Sequence, residues 1–161
     1  MKQPQSRRVQ RGFSLIELMI VVAIISIIAA IAIPNLMASR RASNEAAAIS
    51  NIRNINSAEA TYASTQTGSI YADLDTLKNN RLVDEVLGVA DVTAKSGYFY
   101  KVTADNTGST RTYVAGAAPD NSTTGTRIFS SSHDGIIYQD TATGYGAGSV
   151  PNATVGNPIG N

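Results

Sequence analysis

The chain has 161 residues, of which 16% are charged, and a formal net charge of +1; this length favours one domain with an appendage. It contains no cysteine and a single histidine, which excludes a disulfide framework, a thiolate metal site, a cysteine nucleophile and a multi-histidine metal site within one chain. The near-neutral charge gives no indication of a nucleic-acid-binding surface.

A basic segment, residues 1–12, is followed by an apolar run at residues 13–33. The basic segment has no acidic residue and holds four cations, Lys2, Arg7, Arg8 and Arg11. The apolar run is interrupted only by Ser14, Glu17 and Ser26. As a helix it would span roughly 31 Å, about the thickness of a bilayer's hydrocarbon core. The basic flank predicts a cytoplasmic N-terminus, with the rest of the chain on the far side of the membrane.

Three interpretations compete for this N-terminal segment. A cleaved secretory signal has a shorter apolar core and a small-residue cleavage site beyond it. In this chain position 34, just beyond the apolar run, is proline. A plain membrane anchor fits the length but leaves Glu17 unexplained, since a carboxylate in a membrane helix costs about 2.5–3.5 kcal/mol. The third interpretation is a cut before Phe13, which would create a free amine four residues from Glu17.

The residues around the proposed cut carry a specific sequence pattern. The chain reads GFSLIEL at 12–18 and AIP at 32–34. This pattern resembles the processing and assembly signature of type IV pilins and type II secretion pseudopilins. The resemblance implies that a prepilin peptidase cuts after Gly12 and methylates Phe13. It also implies that Glu17 pairs with the Phe13 amine of an adjacent subunit and so sets the axial register of a filament.

The resemblance further implies the partners and location of the chain. The partners are other copies of the chain, the prepilin peptidase, an inner-membrane platform protein, an assembly ATPase and, in two-membrane bacteria, a secretin. The subunit is expected to be a single-pass inner-membrane protein before assembly, and then part of a surface pilus or a periplasmic filament. Two functions stay open, a pilus subunit and a pseudopilin of type II secretion, and neither is an enzyme or needs a cofactor.

A helical pattern resumes after Pro34, which is expected to kink the helix because proline removes a backbone hydrogen bond. Apolar residues recur mostly at spacings of three and four, which indicates a helical face: Leu36, Met37, Ala42, Ala46, Ile49, Ile52, Ile55, Ala58 and Tyr62. The charged residues Arg40, Arg41, Glu45, Arg53 and Glu59 are expected mostly on other faces. Stop signals at residues 64–68 predict one long helix over residues 13–64.

The rest of the chain, residues 65–161, is expected to form a head. Residues 65–95 are predicted to be a connector with short helical turns. Period-two alternation predicts three or four antiparallel strands within residues 96–140, with a hairpin turn at Asp134-Gly135. Residues 141–161 are rich in Gly, Thr, Ala, Asn and Pro and are expected to be an irregular, flexible tail.

The head offers few residues suited to catalysis or metal binding. His133 stands alone in a predicted turn and no nucleophile motif accompanies it. Asp120, Asp134 and Asp140 have the oxygen ligands that calcium prefers, but the sequence around them favours solvated turns. We therefore expect no catalytic residue and no metal site.

Together these segments predict an α+β fold. A long N-terminal helix, membrane-spanning over residues 13–33 and then amphipathic, packs on a small antiparallel sheet. The leader at residues 1–12 is expected to be removed.

Overall fold

The computed structural model describes residues 12–159. Its longest element is helix α1, Leu15–Thr65, whose ends differ from the predicted 13–64 by one or two residues, the usual scatter of helix termini. The chain divides into two compact units, one ending at Met37 and the other beginning at Ala38.

In the first unit, α1 leaves its apolar side chains exposed. Ile16, Ile24 and Ile31 keep 63%, 53% and 64% of their surface accessible. The segment is rich in Ile and Val, which have only modest helix propensity in water. A helix of this composition is suited to apolar surroundings, where each backbone polar group must be bonded within the segment itself.

In the second unit, α1 presents a buried face whose residues recur at spacings of three and four. Its buried residues are Glu45, Ala48, Asn51, Ile52, Ile55, Ala58 and Glu59. The predicted apolar stripe is buried at Ile52, Ile55 and Ala58, in its second half, whereas Ala42 and Ala46 in its first half are exposed. The expectation that charged residues avoid this face is wrong for Glu45 and Glu59, because the true stripe passes through both carboxylates.

The Glu45 carboxylate is buried without being left unsatisfied. Its Oε2 accepts hydrogen bonds from Arg127 Nη2 at 2.6 Å and Nε at 2.9 Å. Its Oε1 accepts from the backbone N–H of Thr126 at 3.0 Å and from the Thr126 hydroxyl at 3.1 Å. A fully bonded carboxylate can be buried at low cost, so this site joins α1 to the sheet.

The sheet of the second unit has five antiparallel strands in the order β1-β2-β3-β4-β5. They are β1 Tyr98–Asp105, β2 Thr112–Pro119, β3 Arg127–Ser132, β4 Ile137–Thr141 and β5 Asn157–Pro158. The antiparallel sheet and the β3–β4 hairpin are confirmed. The count of three or four strands is wrong, because the two residues of β5 lie in the tail, where the sequence has no period to reveal them.

The inner face of the sheet packs against α1. Tyr98, Tyr100 and Phe129 are fully buried there. Polar side chains of the helix meet this face through hydrogen bonds: Asn51 Nδ2 donates to the Tyr100 hydroxyl at 2.9 Å, and Asn56 Nδ2 donates to Ser131 Oγ at 2.8 Å. These hydrogen bonds hold α1 against the sheet and also fix its position along the strands.

The connector contains two short helices, α2 Leu74–Asn79 and α3 Glu85–Gly88. Each starts at an aspartate whose side chain accepts a backbone N–H: Asp73 from Thr76 at 2.8 Å and Asp84 from Leu87 at 2.9 Å. Leu77 and Leu87 are buried in the core. The predicted short helical turns in the connector are therefore confirmed.

The tail packs on the outer face and on the edge of the sheet. Pro151 is buried, and an added Cβ at Gly116 would lie against the Pro151 carbonyl. The Val155 N–H donates to Ser130 Oγ at 3.0 Å, and β5 pairs with the edge strand β4. The tail is thus irregular, as expected, and it covers an otherwise open strand edge; its flexibility stays a prediction.

Candidate processing and assembly site

The residues on either side of the predicted cut lie outside the helix. Gly12 and Phe13 precede α1, and Phe13 keeps 88% of its surface exposed. A Cβ built on Gly12 would meet no atom within 4 Å. The peptide bond between them therefore lies in an exposed segment outside regular secondary structure.

Helix α1 begins with a reciprocal capping arrangement. The Ser14 backbone N–H donates to Glu17 Oε2 at 2.8 Å, and the Ile16 N–H donates to Ser14 Oγ at 3.3 Å. This is the geometry of a capping box, in which a serine and a glutamate three residues later satisfy free N–H groups at a helix start. With this capping box, α1 begins two residues after the predicted cut.

Glu17 is the one charged side chain between Leu15 and Ile33. The hydroxyl of Ser26 donates to the Val22 carbonyl at 2.8 Å, so this polar group is satisfied inside the helix. Among the described helices, the start of α1 is long and apolar enough to cross a membrane. Glu17 therefore stands as an acidic group near one end of a membrane-length apolar segment.

Pro34 lies inside α1, and the helix continues past it to Thr65. A proline at this position cannot donate to the carbonyl four residues earlier. The site is thus a local weakness of the helix, and a kink there stays a prediction.

A comparison with protein families matches residues 7–33 to a family described as a prokaryotic N-terminal methylation motif. Residues 7–33 carry the prepilin motif. The match contains Gly12, Phe13, Glu17 and the apolar run together, which is the combination that the local geometry places at the start of α1.

Three curated relatives are similar to parts of the chain. The type IV wide pilus major component PilA4 of Thermus thermophilus is 60% identical over 35 residues, 22% of this chain and 27% of the relative. The type IV major pilin protein PilA of Myxococcus xanthus is 50% identical over 54 residues, 34% of this chain and 24% of the relative.

The type II secretion system core protein G of Pectobacterium carotovorum is 39% identical over 54 residues, 34% of this chain and 35% of the relative. The chain therefore matches about a quarter to a third of the length of these relatives. No solved structure matched the chain.

Of the three aspartates considered for calcium, Asp134 is bonded within its own turn. Asp134 accepts from the Ile136 N–H at 3.0 Å and from the Ser132 hydroxyl at 2.9 Å. Partial burial works against its charge, but these hydrogen bonds prevail and hold its pKa below the usual value. Within residues 12–159 no three acidic or histidine side chains form a metal-binding group.

The capping role of Ser14 was not predicted, although the signal was present. Residues 14–17 read SLIE, which fits the serine-x-x-glutamate pattern of a capping box ahead of an apolar run. In the described chain this carboxylate has a partner within its own first turn.

Proposed function

We propose that this chain is a structural subunit of a type IV pilus or a pilus-like filament, cut after Gly12, methylated at Phe13 and polymerised through the first part of α1. The observation that supports this most directly is the exposed apolar helix that follows the prepilin motif. Such a surface needs lipid or other helices around it. We assign the chain a structural rather than an enzymatic role.

Processing fits the local structure around the cut. A peptidase needs an extended backbone, and residues 12–14 lie outside the helix. Glycine presents no Cβ to the enzyme. The capping box at Ser14 and Glu17 marks the start of α1, so the scissile bond lies outside the helix.

Assembly gives Glu17 a second partner. In the uncut chain the carboxylate is bonded to the Ser14 N–H. Cutting adds a positive amine at Phe13, and in a filament the amine of an adjacent subunit can pair with the carboxylate. Because lipid and helix interiors are equally apolar, this charge pair and close packing must supply much of the assembly free energy.

Membrane placement follows from the charges around the apolar segment. The four cations before Gly12 favour a cytoplasmic start and an external head. The subunit would wait in the inner membrane as a single-pass protein. The prepilin peptidase, a platform protein, an assembly ATPase and a secretin are the expected partners.

A pseudopilin of type II secretion is the second candidate, because one relative is a core protein of that system. The resemblance to pseudopilins would lead us to expect a calcium loop rich in aspartate and glycine and an element that contains tryptophan. The chain has no tryptophan, and Asp134 is bonded within its own turn, so we favour a pilus subunit.

The test is electron microscopy of filaments sheared from cells that produce the chain, with the subunit mass measured in each fraction. Long surface fibres built of this subunit would support a pilus role. A processed subunit that stays in the envelope without fibres would favour the pseudopilin. An unprocessed chain in every fraction would contradict both.

A further inference from the structure

Glu59 is the second carboxylate on the buried face of α1, and its surroundings differ from those of Glu45. Its side chain is fully buried. One oxygen, Oε2, accepts the backbone N–H of Ala72 at 3.1 Å. The other, Oε1, has no hydrogen-bond partner among residues 12–159. A buried carboxylate with one free oxygen is costly in its charged form.

The segment that Glu59 holds is the start of the connector, residues 66–73. The Asn106 side chain accepts the Tyr71 N–H at 2.9 Å and donates to the Tyr71 carbonyl at 2.9 Å. The rings of Tyr71 and Tyr113 are in contact, with centroids 4.7 Å apart and planes tilted by 52°. These contacts join the connector to the sheet, while the Glu59 bond joins it to α1.

The ionisable groups around Glu59 do not neutralise it. Asp73 of the connector adds a negative charge, and Tyr71 and Tyr113 present phenols. Burial raises the pKa of Tyr113, and the charges of Glu59 and of Asp134 in the β3–β4 turn raise it further. Arg111 approaches the connector at Gly68, and Tyr62 follows one turn along α1.

Burial raises the pKa of Glu59 to about 7; the Ala72 hydrogen bond lowers it, and the charge of Asp73 raises it further. The ordinary value is 4.5. The closed state, in which Ala72 contacts Glu59, is therefore most stable below pH 4.5 and loses stability as the pH rises toward 7. In the open state the Glu59 carboxyl group is exposed to water and loses its proton at a lower pH.

We propose that Glu59 is a protonation-dependent latch for the start of the connector, residues 66–73: the neutral acid can stay buried against Ala72, whereas the charged carboxylate, whose Oε1 has no partner among residues 12–159, is drawn toward water and loosens this contact. The latch belongs to the fold of the head and acts in either of the proposed filament roles. It makes the conformation of the connector respond to the pH around the head.

The test is amide hydrogen exchange of the full chain in detergent micelles at pH 5 and pH 8, corrected for intrinsic exchange. Protection of the Tyr71 and Ala72 amides should fall by about tenfold or more between the two conditions. The Tyr100 amide, which bonds to the Ala90 carbonyl at 2.8 Å, is the internal reference and should change far less.

Glu59→Gln should abolish the pH response of the Tyr71 and Ala72 amides, since glutamine has no proton to lose. The matched control Glu85→Gln removes an exposed carboxylate of α3 and should keep the wild-type response. Asp73→Asn keeps a capping side chain but removes the neighbouring charge, and it should lower the midpoint of the response.

Equal protection at both pH values in the wild-type chain would overturn the latch, and so would a pH response that persists in Glu59→Gln. If Glu59→Gln does not fold, the carboxyl carbon of Glu59 can be titrated by NMR in the wild-type chain. A midpoint near neutrality supports the latch, and a midpoint near 4.5 overturns it. Neither result depends on filament formation.

Discussion

Residues 15–37 and residues 38–65 belong to one helix, yet they expose different surfaces. The first stretch leaves side chains such as Ile16 and Ile27 more than 60% exposed, whereas the second buries Ile52 and Ile55 completely. The second stretch finds its apolar partners within its own head. The first stretch has none among the described residues of its unit, so its burial must come from lipid or from other chains.

The carboxylates of the two stretches of α1 also differ in their hydrogen-bond partners. Glu45 is bonded to Arg127 across the helix–sheet contact, and Glu59 is bonded to the connector. Among residues 12–159, Glu17 is bonded to Ser14 at the start of its own helix. We therefore expect substitutions in residues 15–37 to affect assembly, and substitutions in residues 38–65 to affect the stability of the head.

The largest effect is expected from Glu17→Ala in the first stretch. The variant should insert into the membrane and be processed, but the yield of sheared filaments should fall by at least about tenfold, since each 1.4 kcal/mol lost is a factor of ten. Thermal unfolding of the head should be unchanged. The control Glu85→Ala removes an exposed head carboxylate and should assemble normally. A normal filament yield from Glu17→Ala would show that assembly does not need this carboxylate.

A core truncation in the head should have the reverse effect. Phe129→Ala removes a fully buried ring and should lower the free energy of unfolding by about 3–5 kcal/mol. Its counterpart Ile24→Ala, in the exposed stretch, should change head stability by less than about 0.5 kcal/mol. Denaturant unfolding in micelles, followed by tyrosine circular dichroism, measures both, and similar losses would show that the two stretches are not separable.

Glu45→Gln should destabilise the head by about 1–3 kcal/mol near pH 7, because Arg127 and Thr126 lose a charged acceptor. We expect a loss in the lower half of that range, because Arg127 is half exposed and solvent screens its ion pair with Glu45.

The pH dependence identifies the cause of this loss. Burial opposes the charge of Glu45, but the hydrogen bonds from Thr126 and Arg127 prevail and lower its pKa. The stabilisation is therefore present above pH 4.5 and is lost as the pH falls through the lowered value. Unfolding curves between pH 3 and 7 should show this loss in the wild-type chain and not in Glu45→Gln; parallel curves would exclude the ion pair as the cause.

The smallest effect is expected on the outer face of the sheet. A Cβ at Gly116 would press on the Pro151 backbone, so Gly116→Ala should displace the tail and cost about 1–2 kcal/mol. Gly148→Ala places its Cβ in open space and should stay within about 0.5 kcal/mol. Limited proteolysis should cut the tail faster in Gly116→Ala alone, and equal rates would show that the tail does not need this contact.

The elements that could be predicted from the sequence are those in which apolar residues recur at regular spacing. The apolar run, the long helix and strands β1 to β4 were recoverable because apolar spacing reports secondary structure directly. The turn at Asp134-Gly135 was recoverable because Gly135 takes a positive φ of 71°, which glycine adopts readily.

The remaining features depend on contacts between distant residues. The burial of Glu45 depends on Arg127, which lies 82 positions away, and a helical pattern alone assigns a glutamate to the solvent. Strand β5 has two residues and no period. Ala42 and Ala46 fit an apolar stripe by spacing, but the sheet packs on a neighbouring face of the helix.

The most direct test of processing is the intact mass of the chain recovered from cells that contain a prepilin peptidase. We predict a mature subunit that begins at N-methylated Phe13, and a full-length chain for Gly12→Val. The control Gly148→Val, also in open space, should be processed normally. A wild-type chain that begins at Met1, or that is cut at another bond, would contradict the account.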